Sequence, residues 1–108
     1  FADHVPIKET SLPKLPWRAV VTGETLASKP DGGSFRVVFF NERSGAVNLF
    51  RMDEEGNAHP HGQIAAGIRK RETTRPGEIW LIRDLEGAPI GSFLVDDRSA
   101  RAVIPKAN

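Results

Sequence analysis

The chain has 108 residues, of which 39% are hydrophobic and 27% charged, and its formal net charge is +1. This length fits one domain, and the composition is that of a folded protein rather than a disordered one. The absence of cysteine excludes disulfides and thiolate nucleophiles, and the balanced charge does not favour nucleic-acid binding. No apolar run approaches the roughly 20 residues that span a bilayer, so we expect a soluble domain.

Residues 1–16 are predicted to form an extended N-terminal arm. Its three prolines remove backbone donors and favour extended geometry in the residues before them. The spaced apolar residues Val5, Ile7, Leu12 and Leu15 indicate that the arm packs against a surface, either of the domain itself or of a partner protein. The chain begins at Phe1 rather than Met, which slightly favours an exported protein but also fits a cloned or proteolytic piece.

Residues 17–108 are predicted to form one all-β domain, a β-sandwich of seven or eight strands. Short segments rich in β-branched and aromatic residues alternate with turn residues, and the clearest of these segments is Phe35 to Phe40. Further strands are expected at 17–22, 46–52, up to about 74, 78–83, 91–95 and 101–104.

Two further segments carry predictions of their own. Arg75-Pro76-Gly77-Glu78 carries the residues of a type II turn, which needs positive φ at its third position. Residues 58–70 are harder to assign, because their glycines disfavour a stable helix while 64–66 could form a single helical turn.

The sequence carries no recognisable catalytic motif: no Gly-x-Ser-x-Gly elbow, phosphate-binding glycine loop or His-Glu-x-x-His. We therefore predict a protein that is not an enzyme and has no cofactor. His59-Pro60-His61 is the one arrangement with metal-ligand character, since two imidazoles two residues apart can point the same way. A closed site needs two more ligands, so we predict two solvated loop histidines and no metal.

Two further features admit both a functional and a structural interpretation. Arg69-Lys70-Arg71 could contact phosphates, but the favoured interpretation is an edge strand protected by its charges. Trp17 and Trp80 are most simply core or rim aromatics, although an indole facing a cleft would also stack on a proline-like or sugar ring.

Part of the chain is similar to a known domain. The run Trp80-Leu81-Ile82-Arg83-Asp84, together with Val38-Phe39-Phe40-Asn41 and a hairpin glycine at Gly56, resembles the β-domain of the von Hippel–Lindau tumour suppressor. The resemblance runs from Val38 to Asp84 without insertion, loosens afterwards, and finds no counterpart in the first third. It implies a seven-stranded β-sandwich that binds a hydroxyproline-containing peptide. No helical domain that would dock elongin C is matched, so a ubiquitin-ligase role is not implied.

The resemblance carries the pocket of that family over only in part. Its tryptophan corresponds to Trp80 and its serine to Thr74, whereas its histidine, tyrosine and second tryptophan correspond to Glu78, His61 and Arg51. The resemblance thus implies a cleft of altered chemistry, in which His61 and Glu78 face each other near Trp80. Such a cleft would take an extended peptide or a polar ring. The alternative is a structural ion pair between His61 and Glu78.

These observations predict a non-catalytic module that binds a protein or an extended peptide. The alternative is a structural accessory subunit that docks onto a larger protein assembly through its arm and a sheet edge. If the chain is exported, that assembly is extracytoplasmic. Carbohydrate binding is less favoured, because two tryptophans and no tyrosine make a poor platform for several sugar rings. An enzyme using the histidine loop with a metal is the remaining alternative.

Overall fold

The chain folds into two stacked β-sheets, as a computed structural model describing residues 12–19 and 27–106 shows. The strands are β1 Arg18–Ala19, β2 Phe35–Asn41, β3 Val47–Met52, β4 Ala58–Ile64, β5 Arg69–Thr74, β6 Ile79–Arg83, β7 Pro89–Leu94 and β8 Ala100–Ile104. One sheet has the order β1-β7-β6-β3-β4 and the other β5-β2-β8. All neighbours are antiparallel except β2 and β8, which run parallel. The predicted β-sandwich is confirmed.

The core lies between the sheets and follows the two-residue period of the strands. The fully buried alternate residues are Val37 and Phe39 in β2, Val47 and Leu49 in β3, Trp80 and Ile82 in β6, and Ala102 and Ile104 in β8. Aromatic rings join the layers: the Phe39 centroid lies 5.3 Å from that of Trp80 and 6.1 Å from that of Phe93. Trp17 packs on Phe93 at 5.3 Å, so both tryptophans belong to the core or its rim.

The turns follow local side-chain chemistry. Gly77 has φ +87°, and the N–H of Glu78 donates to the carbonyl of Arg75 at 3.2 Å, which confirms the predicted turn at Pro76. Two hairpin loops share the pattern Asp-x-Glu-Gly, at residues 53–57 and 84–88. In both, the aspartate Oδ1 accepts the N–H groups two and four residues later, at 2.8–2.9 Å.

Strand β4 is the element that the sequence did not reveal. It occupies Ala58–Ile64, in a stretch where the sequence predicts no strand. The suggested helical turn at 64–66 is wrong, because Ile64 is the last residue of the strand. A reversal follows, in which the N–H of Ile68 donates to the carbonyl of Ala65 at 3.0 Å. Strand β4 tolerates Pro60 because it lies at a sheet edge and pairs only with β3 among the described residues. Of the strand predicted at 17–22, Arg18–Ala19 is observed, and 20–22 fall outside the described residues.

The described part of the arm lies against its own domain. Lys14 bridges Arg101 of β8 in parallel, the N–H of Leu15 donates to the carbonyl of Arg101, and the N–H of Arg101 donates to the carbonyl of Pro13, both at 2.9 Å. Leu15 is 4% exposed and belongs to the core. The interpretation of Leu15 as a partner-binding residue is therefore wrong, because its side chain is already buried in the core of its own domain. Leu12 is half-buried; Val5 and Ile7 lie outside the described residues.

Candidate functional site

The five residues predicted to form a cleft do come together, near the seam between edge strands β4 and β5. Trp80 in β6 lies directly opposite Arg51 in β3. Thr74 ends β5, and the Pro-Gly turn brings Glu78 back beside it. His61 of β4 contacts the Trp80 ring edge-on, with 4.9 Å between ring centroids.

A continuous hydrogen-bond chain links the indole to a buried carboxylate. The indole Nε1–H of Trp80 donates to Oγ1 of Thr74 at 3.0 Å, and that hydroxyl donates to Oε1 of Glu78 at 2.9 Å. The backbone N–H of Arg75 donates to the same carboxylate oxygen at 2.8 Å, and Nη1 of Arg51 lies 3.5 Å from Oε2. Glu78 is only 6% exposed, so these donors offset the desolvation of its charge.

His61 has a different partner from the one predicted. Its Nδ1 lies 3.1 Å from Oε1 of Glu72, and Nζ of Lys70 lies 3.1 Å from the other oxygen of that carboxylate. The expected facing of His61 and Glu78 is therefore wrong, because Glu78 is already occupied by Thr74, Arg75 and Arg51. Since β4 and β5 belong to different sheets, the contact between His61 and Glu72 joins the two layers.

Trp80 does not present a ring face to solvent. Its side chain is 0% exposed, packed between Phe39 and His61. A ligand could stack on this indole only after His61 and its neighbours had moved aside. The five residues thus form a satisfied polar cluster at the rim of the core, and ligand binding by them stays a prediction that requires an opened conformation.

The histidine pair is divided between two carboxylates. Nε2 of His59 lies 2.8 Å from Oδ2 of Asp53, while His61 pairs with Glu72. The His59 contact, followed by backbone N–H groups of the turn, lowers the pKa of Asp53 from 3.8 to about 2. Among residues 12–19 and 27–106, no three His, Asp or Glu side chains are grouped as metal binding would require.

The basic run lies on an edge strand, as its structural interpretation predicted. Strand β5 pairs only with β2 among the described strands, with Arg69 and Arg71 exposed and Lys70 half-buried beside Glu72. The guanidinium carbon of Arg69 lies 5.2 Å from the Phe40 ring centroid, a cation–π distance. Lys70 and Arg69 therefore make contacts within the domain, with Glu72 and Phe40 respectively.

A groove that the sequence did not predict lies on the opposite side of the sandwich. One wall is formed by residues 13–16 and Arg18, and the other by residues 94–96, Arg98 and Ala100. Its volume is about 540 Å³, and it opens where the chain crosses from the edge of β8 to the edge of β7. Leu94 is 45% exposed beside it.

The two walls of this groove, which we call the arm groove, are some eighty residues apart in the sequence, so no local pattern could reveal it. Prolines 13 and 16 were the available indication, because they keep the arm extended and prevent it from completing a strand on either sheet.

Comparison with known proteins does not assign the chain to a family. No protein-family model matches the sequence. No curated protein matches it at a significant level. In the described ranges there is no helix that could span a membrane.

Proposed function

We propose that this chain is a non-catalytic binding module that takes a protein segment or extended peptide in the arm groove. The observation that carries the proposal is the arm groove itself, which is open, largely apolar and about 540 Å³ in volume. The polar cluster around Trp80, in contrast, has its hydrogen bonds satisfied within the domain. Peptide-binding grooves combine a few apolar contacts with polar groups at the rim. Here two exposed prolines and Leu94 supply the first, and cationic side chains supply the second.

The chemistry of the lining residues supports binding rather than catalysis. Among the described residues that line the arm groove, Asp96 is the one carboxylate, and none is a histidine or carries a hydroxyl group. General acid–base or nucleophilic catalysis needs a second group placed to accept or donate the proton. The groove offers surface, hydrogen-bonding edges and charge, which are the requirements of recognition.

The resemblance to the von Hippel–Lindau β-domain is part of this proposal, as a relationship of fold and of binding function. It does not transfer the ligand, because only the tryptophan and one hydroxyl group of the family's pocket are retained, and the other three of the five positions change chemistry here. The structure adds a second reason: Trp80 is covered, and Glu78 is saturated by its own neighbours. We therefore place the proposed ligand in the arm groove and not beside Trp80.

The accessory-subunit alternative requires a free sheet edge, and the two edges at the seam suit docking poorly. Strand β4 carries Pro60, which cannot donate to an added strand, and Gly62 with φ +94° breaks its regular geometry. Strand β5 begins with three consecutive cations. Both features are devices by which edge strands avoid pairing. Docking through the arm remains available to this alternative only at residues other than Leu15.

Selection from a displayed random-peptide library against the immobilised chain tests the proposal. Peptides that bind the arm groove should lose binding to the Leu94→Lys variant, which places a charge on the groove wall. The matched control is Leu85→Lys, because Leu85 is similarly exposed, at 57%, and lies outside the groove. Circular dichroism should show both variants folded.

Two results would contradict the proposed function. One is a selection that enriches no sequence above background in the wild-type chain. The other is enriched peptides that bind the wild type and Leu94→Lys equally well, since their site would then lie elsewhere on the molecule.

A further inference from the structure

The edge of β7 is incomplete where the arm groove opens. Strand β1 pairs with β7 at Arg18↔Ser92 and Ala19↔Gly91. Continuing this antiparallel register by two residues brings Pro16 opposite Leu94. Proline has no N–H to donate, and among the described residues no backbone hydrogen bond joins Leu94 to the arm. The ladder on this side of β7 therefore stops one step short of the strand end.

The backbone of Leu94 points into this gap. The next residue, Val95, donates its N–H to the carbonyl of Glu78 at 2.9 Å, on the β6 side. Because successive residues of a strand direct their backbone groups to opposite sides, the N–H and C=O of Leu94 point away from β6 and towards the groove. An extended segment lying in the groove could use both groups, in the manner of a strand added to a sheet edge.

The charges around the groove select the chemistry of that segment. Among the described residues, three cationic side chains line it, those of Lys14, Arg18 and Arg98, against one carboxylate, that of Asp96. Arg98 lies 3.8 Å from Asp97, and both side chains are more than half exposed, so this contact constrains the guanidinium weakly. Lys14 and Arg98 are both exposed, so they present positive charge to a segment lying in the groove.

We propose that the ligand of the arm groove is an extended, acidic segment of a partner protein that pairs with the backbone of Leu94 and continues the β7 edge. This inference rests on the proposed function and specifies its ligand class. Acidic side chains on the segment would lie near Lys14 and Arg98, while its alternate apolar side chains would contact Leu94 and the prolines.

The test uses four synthetic peptides of equal length and the full chain. The peptides alternate Val with Glu, with Gln or with Lys, and a fourth copies the Glu peptide with its central amides N-methylated. Binding is followed by amide chemical shifts of the isotopically labelled chain. We expect the Glu peptide to shift the amides of residues 94–98, to bind about tenfold more tightly than the Gln peptide, and to weaken as salt is raised.

Charge-reversal variants locate the effect. Arg98→Glu and Lys14→Glu should each weaken the Glu peptide several-fold and strengthen the Lys peptide. Arg36→Glu is the matched control, because Arg36 is equally an exposed cation, on β2 and outside the groove. It should change neither affinity by more than about twofold, because separated surface charges are largely screened.

The failures are distinguishable. If the Gln and Lys peptides shift residues 94–98 as strongly as the Glu peptide, the acidic ligand class is overturned and the groove remains a binding site. If the N-methylated peptide binds as well as its parent, the pairing with Leu94 is overturned. If the chain dimerises and Leu94→Lys makes it monomeric, the occupant is a second copy and the inference falls. If no peptide shifts these amides and the library selection is also empty, the proposed function falls with it.

Discussion

The hydroxyl of Thr74 connects the indole of Trp80 to the carboxylate of Glu78, and a variant that lacks this hydroxyl tests the structure directly. This hydroxyl accepts the indole N–H of Trp80 at 3.0 Å and donates to Glu78 at 2.9 Å, and the residue is 1% exposed. Thr74→Val keeps the β-branched shape and strand preference of the residue while removing both hydrogen bonds. The buried N–H of Trp80 is then left without a partner.

The cost can be estimated from these contacts. An unsatisfied buried donor costs about 1–3 kcal/mol, and a hydrogen bond to a charged group contributes about 1.5–3 kcal/mol. Glu78 keeps the N–H of Arg75 and the guanidinium of Arg51, which limits the second loss. We expect Thr74→Val to lower the free energy of unfolding by about 2–3 kcal/mol, which corresponds to a fall in Tm of about 10 °C for a domain of this size.

Urea denaturation followed by circular dichroism measures this change. Thr73→Val is the matched control, because Thr73 precedes Thr74 on β5 and is exposed, so its loss should stay within about 0.5 kcal/mol. A double-mutant cycle with Trp80→Phe should give a coupling energy of about 1 kcal/mol between the indole N–H and the hydroxyl. If Thr74→Val is no more destabilising than Thr73→Val, the hydroxyl does not organise the cluster and the reasoning fails.

Two further predictions concern the core rim and the first hairpin loop. A Cβ at Gly91 would overlap the indole of Trp17, so Gly91→Ala should cost about 1–3 kcal/mol and change the Trp17 fluorescence. Gly33→Ala, built into open space, should do neither; equal losses would contradict the packing. His59→Ala should raise the pKa of Asp53 from about 2 part of the way towards 3.8, as a carboxyl NMR titration measures. Because the pKa of Asp53 is lowered in the folded state, its charged form stabilises the wild type above about pH 4, and this stabilisation is lost as the pH falls towards 2. If the pKa of Asp53 is the same in His59→Ala as in the wild type, His59 is not what lowers it.

The strands with an inner and an outer face could be predicted from the sequence, because burial imposes a two-residue pattern on them. Phe35–Asn41 and Ile79–Arg83 are central strands whose β-branched and aromatic residues pack between the sheets. The turn at Pro76 and Gly77 was also predictable, since φ there is set by the residues themselves. Strand β4 was not, because Ala58–Ile64 is an edge strand with a proline, a positive-φ glycine and one fully buried hydrophobic side chain.

Partners that are remote in sequence were beyond prediction. Ser28 lies outside every strand, yet its buried hydroxyl donates to the carbonyl of Met52 and accepts the N–H of Ile79 at 2.8 Å. Asn41 ends β2, and its side-chain amide donates to the carbonyls of Gly45 and Ile64, both at 2.9 Å. Such polar residues look solvated in the sequence, because nothing local shows that the fold will bury them.

The same limit explains why the cleft residues were found but their role was not. The resemblance placed Trp80 and four polar neighbours near one another, and the structure brings all five together. It could not show that Glu72, on β5, would take His61, since that contact depends on how the sheets stack. Because His61 pairs with Glu72, Glu78 is bonded by Thr74 and Arg75 of its own turn. The predicted cleft beside Trp80 is therefore closed.

The energetics separate the two candidate binding places. Exposing Trp80 would forfeit about 1.5–3 kcal/mol of apolar burial, about 1 kcal/mol from its hydrogen bond, and up to about 1 kcal/mol from the contact between His61 and Glu72. A total of about 2.5–5 kcal/mol corresponds to an open population of roughly one in 10² to one in 10⁴, and the apparent Kd of a ligand beside Trp80 would be raised by the same factor. The arm groove carries no such penalty, since Leu94 is already 45% exposed and, within residues 12–19 and 27–106, no backbone hydrogen bond to the arm has to be displaced. A ligand of ordinary affinity should therefore bind the arm groove first, and any ligand that did reach Trp80 would have to displace His61 from its contact with Glu72.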